Sequence, residues 1–409
     1  MNQVVITVVG GGAFSPRLCE ALARAIDIPE LELRLSARRA DRLRILAEHS
    51  AARLAPLRPG WSVRASPSLE AALEGASLVV LLVRVGGLEA RAWDETFPRR
   101  FGLAGDEGLG PGGIANAWRT LPKLAAIAGA LRRISPNAGV MNLMAPLGMT
   151  TRLLLEEGLS AFGVCELPLV TLEAWLSYLG ETPAGATWRY GGLNHLGWFW
   201  HVRVGAEDVL KLLADCEREV NAPVDPSTIK RYQAAPLRYF YEVFDRDAAR
   251  RLGLERPPGR AEQLLALSDE LVQRFAGNPG LEMNEVEVRN TPWLDRAVAP
   301  IASALLGGPP HAGFINLINE GKIPELPPEL VVEVAATFTP HGASPTKPGP
   351  LPAPVASFLY CAAEAEALTY QAARERSPSL LANAIRALPL SIPENAVLEL
   401  TELAQRERP

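Results

Sequence analysis

The sequence predicts an α/β fold in which an amino-terminal parallel sheet, covered by helices on both faces, is followed by an α+β half. Three observations carry this. Short β-branched or leucine-rich runs alternate with helical patterns over roughly the first 166 residues. Those runs are continuously apolar, as parallel strands buried on both faces must be. Beyond residue 166 helical stretches dominate, with short strand patterns among them. The predicted division is therefore 1–166 and 167–409.

The first strand, 4–9 (VVITVV), ends at Gly10-Gly11-Gly12, and Pro16 opens a helical pattern over 17–26. Strand, glycine turn and helix form the opening unit of a Rossmann-like dinucleotide-binding domain. Backbone N–H groups at a helix start can hold a pyrophosphate, and glycine lets it approach. Gly10, Gly11, Gly12, Ala13, Phe14 and Ser15 are thus candidate cofactor contacts. Strict G-x-G-x-x-G spacing needs glycine at 15, where Ser15 stands, so a plain strand–helix turn stays open on the motif alone.

The second strand is expected at 31–35, with a helix at 40–54. An acid normally ends that strand and binds the ribose hydroxyls. Here Ser36-Ala37-Arg38-Arg39 follows instead. Arg38 suits a 2′-phosphate, which leaves NADP open beside NAD; a solvated helix start accounts for it equally.

Residues 78–83 (LVVLLV) read as a fully buried strand ending at Val83, and 139–143 as another, with a helix at 119–134 between them. Residues 84–122 carry eight glycines and many charges directly after a buried strand. This stretch reads as a flexible loop beyond the carboxyl end of the sheet, where such folds bind ligands. Its candidates are Arg84, Glu89, Arg91, Asp106, Glu107 and Arg119, of which about half are expected to pair with one another.

In the second half, helices are expected at 172–179, 206–221, 261–275, 355–376 and 378–388, and strands at 197–204 and 330–338. Residues 339–354 read as a proline-rich loop. Cys165 closes a strand-like segment, and Gly192-Leu193-Asn194-His195 follows. One Cys and one His cannot close a structural zinc site, but they can hold a catalytic divalent ion with open positions. Alone, the same residues read as a buried small hydrophobe and a satisfied imidazole. The run at 236–241 contains Tyr239 and Tyr241, either core residues or a base whose pKa a cation lowers.

Composition narrows the classes. Hydrophobic residues make up 48% and charged residues 21%, so a large core is available and a disordered chain is excluded. With 41 Lys+Arg against 46 Asp+Glu the net charge is −5, which argues against a nucleic-acid or membrane-surface role. Cys19, Cys165, Cys216 and Cys361 are far apart and show no C-x-x-C spacing, the pattern of a reduced, cytoplasmic protein. No apolar run reaches the ~20 residues of a membrane span, and no basic segment precedes the first strand as in a signal peptide.

Taken together, these motifs resemble glycoside hydrolase family four, the NAD- and Mn²⁺-dependent 6-phospho-glycosidases. The resemblance rests on 10–16, on RVGGLEAR at 84–91, and on G-x-E-x-x-G-P-G-G at 105–113 with Arg119-Thr120-x-Pro122. It extends through Asn142 with P-x-G-M at 146–149, Cys165, GLNH at 192–195 and Asn316…Asn319-x-Gly321. It implies a lactate/malate dehydrogenase-like fold and a redox-elimination reaction rather than the usual pair of carboxylates. In that reaction NAD⁺ takes a hydride from C3, a tyrosine removes the acidified C2 proton, the C1 leaving group departs, water adds and the hydride returns. The metal, Mn²⁺ or another divalent ion, stabilises the enolate.

Carried onto this chain, the resemblance implies Cys165 and His195 as metal ligands and Tyr239 as base, with Tyr241 second. It implies cofactor contacts at 10–15, Arg38 and Val83, and substrate contacts at Arg84, Arg91, Glu107, Asn142, Asn194 and Arg289. The expected substrate is a 6-phospho-β-glucoside, and the expected assembly a homodimer or homotetramer. Ala145 and Glu166 stand where the family has asparagines, and Thr96 and Ile318 where it has arginines. These departures keep three alternatives in view: a non-phosphorylated glycoside, a lactate/malate-type dehydrogenase, and a non-catalytic nucleotide- or sugar-binding paralogue.

Overall fold

A computed structural model describes residues 3–215, 224–254, 259–282 and 292–406. Its strands are β1 (Val4–Gly10), β2 (Leu31–Ser36), β3 (Trp61–Ala65), β4 (Leu78–Leu82), β5 (Gly139–Asn142), β6 (Ala161–Gly163), β7 (Thr187–Leu193), β8 (Leu196–Val204), β9 (Glu207–Asp208), β10 (Ala235–Pro236), β11 (His311–Ile318), β12 (Val331–Thr339) and β13 (Gly342–Pro345). They form one sheet in the order β10-β8-β7-β12-β11-β6-β5-β4-β1-β2-β3, with β13 beside β12 and β9 beside β8.

The six strands β3-β2-β1-β4-β5-β6 are parallel, as continuous apolar runs require. From β6 onward all pairings are antiparallel. The first half is therefore the predicted parallel sheet, with the order reversing at β1, and the second is α+β. One register row runs across the junction: Val9, Leu81, Asn142, Gly163, Asn316, Glu333, Gly192 and Gly197 are successive lateral neighbours.

Close approach decides the glycines at the first turn. Gly10 has φ +92°, and a Cβ there would lie 2.7 Å from the Leu82 carbonyl. The Gly11 N–H donates to that carbonyl at 3.2 Å, which seats the turn on the end of β4. Ser15, at the third glycine's place, packs against Gly11 and donates its hydroxyl to Gly12 O at 2.8 Å.

Residues 84–122 are not the expected loop. They form helices Gly87–Thr96 and Gly110–Ile134, joined by a short connection. Their glycines serve tight packing: a Cβ on Gly112 would strike the Asp94 and Asp106 carbonyls, and one on Gly113 would lie 2.5 Å from Gly108 C. Pro111, in the first turn of its helix, costs no hydrogen bond there. The expected helix 206–221 is instead strand β9 and helix Val209–Ala214, capped by Asp208, and residues 216–223 lie outside the described residues. The proline-rich stretch contains β13. Among the described residues no helix is long and apolar enough to cross a membrane.

Helix Ala353–Glu375 crosses helix Leu147–Glu156, and Gly148 has no room for a Cβ because Glu366 Oε1 lies there. The Glu366 carboxyl is enclosed although the residue as a whole is only half-buried, and burial pushes its pKa up to about 7, against the opposing charge of Arg152. The folded chain thus holds a proton that the unfolded chain releases, so this group's contribution to stability falls as pH rises from the ordinary carboxylate range to about 7. Thermal melts of Glu366→Gln should exceed the parent by a few degrees at pH 8, with the gap closing toward pH 4.5. A gap independent of pH would contradict this.

Candidate active site

The site is built where several chain turns meet. Val83 and Arg84 follow β4 directly beside the glycine turn, and both are half-buried. Arg84 forms an ion pair with Glu107, and Arg91 reaches the same carboxylate at 3.1 Å and Glu95 at 2.6 Å. Three predicted substrate residues thus form one charged cluster. Its position is fixed by backbone anchors. Asp106 Oδ1 accepts from the N–H groups of Gly108 (2.7 Å) and Leu109 (3.0 Å), and Asn116 Nδ2 donates to Glu107 O at 2.8 Å. Arg119 belongs to the structural share: it pairs with buried Asp94 at 2.6 Å.

Gly108 leads from this cluster to His195. A Cβ on Gly108 would lie 3.4 Å from His195 Nδ1. Asn194 and His195 form the tip between β7 and β8, with Leu193 paired to Leu196 and His195 at φ +65°. The His195 ring stacks flat on Tyr239, with centroids 4.1 Å apart and planes within 2°. Tyr239 is half-buried in helix Arg238–Phe244. Tyr241 on the same helix is turned into the core, where its hydroxyl accepts from Asp225 N at 3.2 Å and burial pushes its pKa up.

Cys165 is buried two residues beyond Gly163, with the Asn194 side chain beside it. Burial, with the charges of Glu333 and Glu166, pushes its thiol well above the ordinary range. Asn194 therefore lies beside Cys165 and precedes His195. Among the described residues no three His, Cys, Asp or Glu side chains form a closed cage. One thiol and one imidazole, with a neutral amide near them, are a donor set that could hold a catalytic divalent ion with positions open for substrate. The glycine turn fits a dinucleotide: a Cβ on Gly12 would meet nothing within 4 Å, so the backbone faces open space there.

Other predicted residues stand elsewhere. Asn142 is fully buried, and its amide donates to Thr150 and Thr151 Oγ1 at 2.9 and 3.0 Å, so it holds the turn after β5. Arg38 is exposed after β2. Arg289 lies outside the described residues. Sequence reasoning missed Glu333. This fully buried carboxylate in β12 accepts from Asn316 Nδ2 (2.8 Å), Asn194 Nδ2 (3.0 Å) and the Tyr190 hydroxyl. Its signal was present: one acid inside an otherwise apolar strand.

A model described as "Family 4 glycosyl hydrolase" matches residues 5–181, and the model of that family's C-terminal domain matches 190–390. The chain belongs to this family. The glycosyl hydrolase is 25% identical over 382 residues to a Bacillus subtilis protein named "Probable 6-phospho-beta-glucosidase", covering 87% of this chain and 85% of that one. It is 25% identical over 344 residues to a Thermotoga maritima 6-phospho-beta-glucosidase, covering 81% and 80%. A solved Thermotoga maritima 6-phospho-beta glucosidase with manganese, NAD⁺ and glucose-6-phosphate superposes with a TM-score of 0.82 at 22% identity, covering 98% of this chain and 97% of that one. A lactate dehydrogenase from a deep-sea metagenome library superposes at 0.56 with 13% identity, covering 91% and 100%. The expected dehydrogenase-like fold is thus present in a glycosyl hydrolase.

Gly197 tests the packing beneath the site. A Cβ there would strike the Tyr190 ring and hydroxyl. Gly197→Ala should lose about 1–3 kcal/mol in urea unfolding. Gly129→Ala, with nothing within 4 Å of its Cβ, should be neutral or stabilising. Equal effects would contradict the role given to Gly197.

Proposed function

We propose that this glycosyl hydrolase cleaves 6-phospho-β-glucosides with NAD⁺ and a divalent metal, in a dinucleotide-binding half (1–166) and a substrate- and metal-binding half (167–409). One observation carries the reading. The glycine turn seats on the end of β4 two residues before Arg84, Arg84 pairs with Glu107, Gly108 lies beside His195, and His195 stacks on Tyr239. This succession supports a dinucleotide at the glycine turn and a metal and base at the His195–Tyr239 end as parts of one site. The names of the relatives add the substrate class.

When bound, NAD⁺ would supply a hydride acceptor and the divalent ion would supply charge stabilisation for the anion formed on proton removal. Cys165 and His195 would hold the ion, and the glycine turn would present N–H groups to the pyrophosphate. Tyr239, stacked on His195, is the residue that would take the C2 proton, and a cation held beside it would favour the phenolate. The Arg84–Glu107–Arg91 cluster binds sugar hydroxyls. Beside the Tyr239 helix lies a cleft of about 280 Å³ lined by Arg99, Arg246, Asp106 and Glu242. Its two guanidinium groups offer the 6-phosphate a seat.

A non-phosphorylated glycoside is the second reading. Thr96 spends its hydroxyl on Ala92 O (2.7 Å), and Ile318 has no donor side chain, so both arginine positions are empty of charge. Aryl β-glucosides with and without the 6-phosphate, offered with Mn²⁺, NAD⁺ and a thiol reductant, decide. The expected result is aglycone release from the phosphorylated substrate with no steady rise of NADH. Cleavage of the free glycoside alone would favour the second reading, and stoichiometric NADH would favour a dehydrogenase. Tyr239→Phe should slow turnover by ~10²-fold or more, the usual share of general-base catalysis, while Tyr241→Phe should mainly lower the melting temperature. The reverse pattern would move the base to Tyr241.

A further inference from the structure

Glu333 has the features of a residue retained for something other than stability. It is fully buried in an apolar strand, where an ionised carboxylate is costly. Among the described residues it has no ion pair with Lys or Arg; its partners are the neutral donors Tyr190, Asn194 and Asn316. Its charged neighbour is another acid, Glu166, and it lies beside the Cys165 thiol and the imidazole tip.

The geometry gives the carboxylate a definite target. Glu333 pairs with Gly192 across β12 and β7, two residues before Asn194. Its Oε1 draws the Asn194 amide inward at 3.0 Å, beside Cys165. Asn194 is thereby held by a buried acceptor, and His195, the next residue, takes its left-handed conformation over Gly108 and Tyr239. On the other side Tyr190 reaches Glu333 only because Gly197 has no Cβ.

We propose that Glu333 is a positioning residue for the metal-ligand pair: through its hydrogen bond to Asn194 it fixes the distance between Cys165 and His195 and so sets the affinity for the divalent ion. This rests on the reading that these two residues hold the ion. It is the outer-shell logic of metal sites, in which a carboxylate orients the groups that bind the metal. Asn316, in the strand on the other side of β12 from β7, donates to the same Oε1 at 2.8 Å. It therefore serves as the control: it supports Glu333 without contacting the tip.

The test is equilibrium Mn²⁺ binding to metal-stripped full-length protein, read by the EPR signal of free Mn²⁺, with melting temperatures measured in parallel. Glu333→Ala and Asn194→Ala should weaken binding by ~10–100-fold. Glu333→Gln, which keeps an acceptor for Asn194, should stay within about threefold of the parent. Asn316→Ala should lose melting temperature but keep Mn²⁺ affinity. Parental affinity in Asn194→Ala, or equal losses in Asn316→Ala and Asn194→Ala, would overturn the proposal, and this pair decides even where Glu333→Ala fails to fold. Loss of affinity in Glu333→Gln equal to that in Glu333→Ala would also overturn it, since charge alone would then suffice. A parent protein that binds no Mn²⁺ would refute the metal reading itself, a different and separately visible result.

Discussion

The site depends on one close approach, between Gly163 in β6 and Asn316 in β11. It is the pairing that joins the parallel sheet to the antiparallel one. A Cβ on Gly163 would lie 2.7 Å from Thr151 Oγ1 and 2.9 Å from Asn316 Cβ. Only glycine lets the strands meet. Once they do, Asn316 is beside Glu333, Glu333 beside Gly192, and Cys165 within reach of Asn194. The glycine turn after β1 and the Asn194–His195 tip between β7 and β8 are thus carried by one continuous sheet.

Burial of acids follows the same logic. Asp94, Glu333 and Glu366 are each pushed to about 7 by desolvation, but their surroundings differ. Asp94 meets the Arg119 guanidinium and locks two helices. Glu366 closes the crossing of two others. Glu333 alone of these three meets only neutral donors and faces the candidate metal ligands. The one charge-assisted pair holds the frame, while Glu333 lies beside Asn194 and Cys165 with neutral donors only.

Much of this was legible in the sequence. Apolar runs marked the parallel strands, and the glycine turn announced the first βα unit. RVGGLEAR and the GPGG stretch located Arg84, Arg91 and Glu107, which the structure gathers into one cluster. The rest was hidden for physical reasons. Glycine signals either freedom or close packing, and at Gly112 and Gly113 it is packing, so a helix was read as a loop. Tyr239 and Tyr241 are two residues apart, which on a helix places them on nearly opposite faces; sequence alone could not say which face meets His195. Glu333 escaped because its partners come from β7, β11 and the β7–β8 tip, joined only by folding.

The central claim is that the glycosidic bond breaks by elimination after proton removal at C2, with Tyr239 taking the proton. The most direct measurement is the isotope content at C2 of the sugar phosphate released in deuterium oxide, read by proton NMR. Proton removal by a side chain open to solvent exchange predicts deuterium at C2 in step with turnover. Full turnover with protium retained at C2 would contradict the account, because direct displacement at C1 leaves that proton untouched.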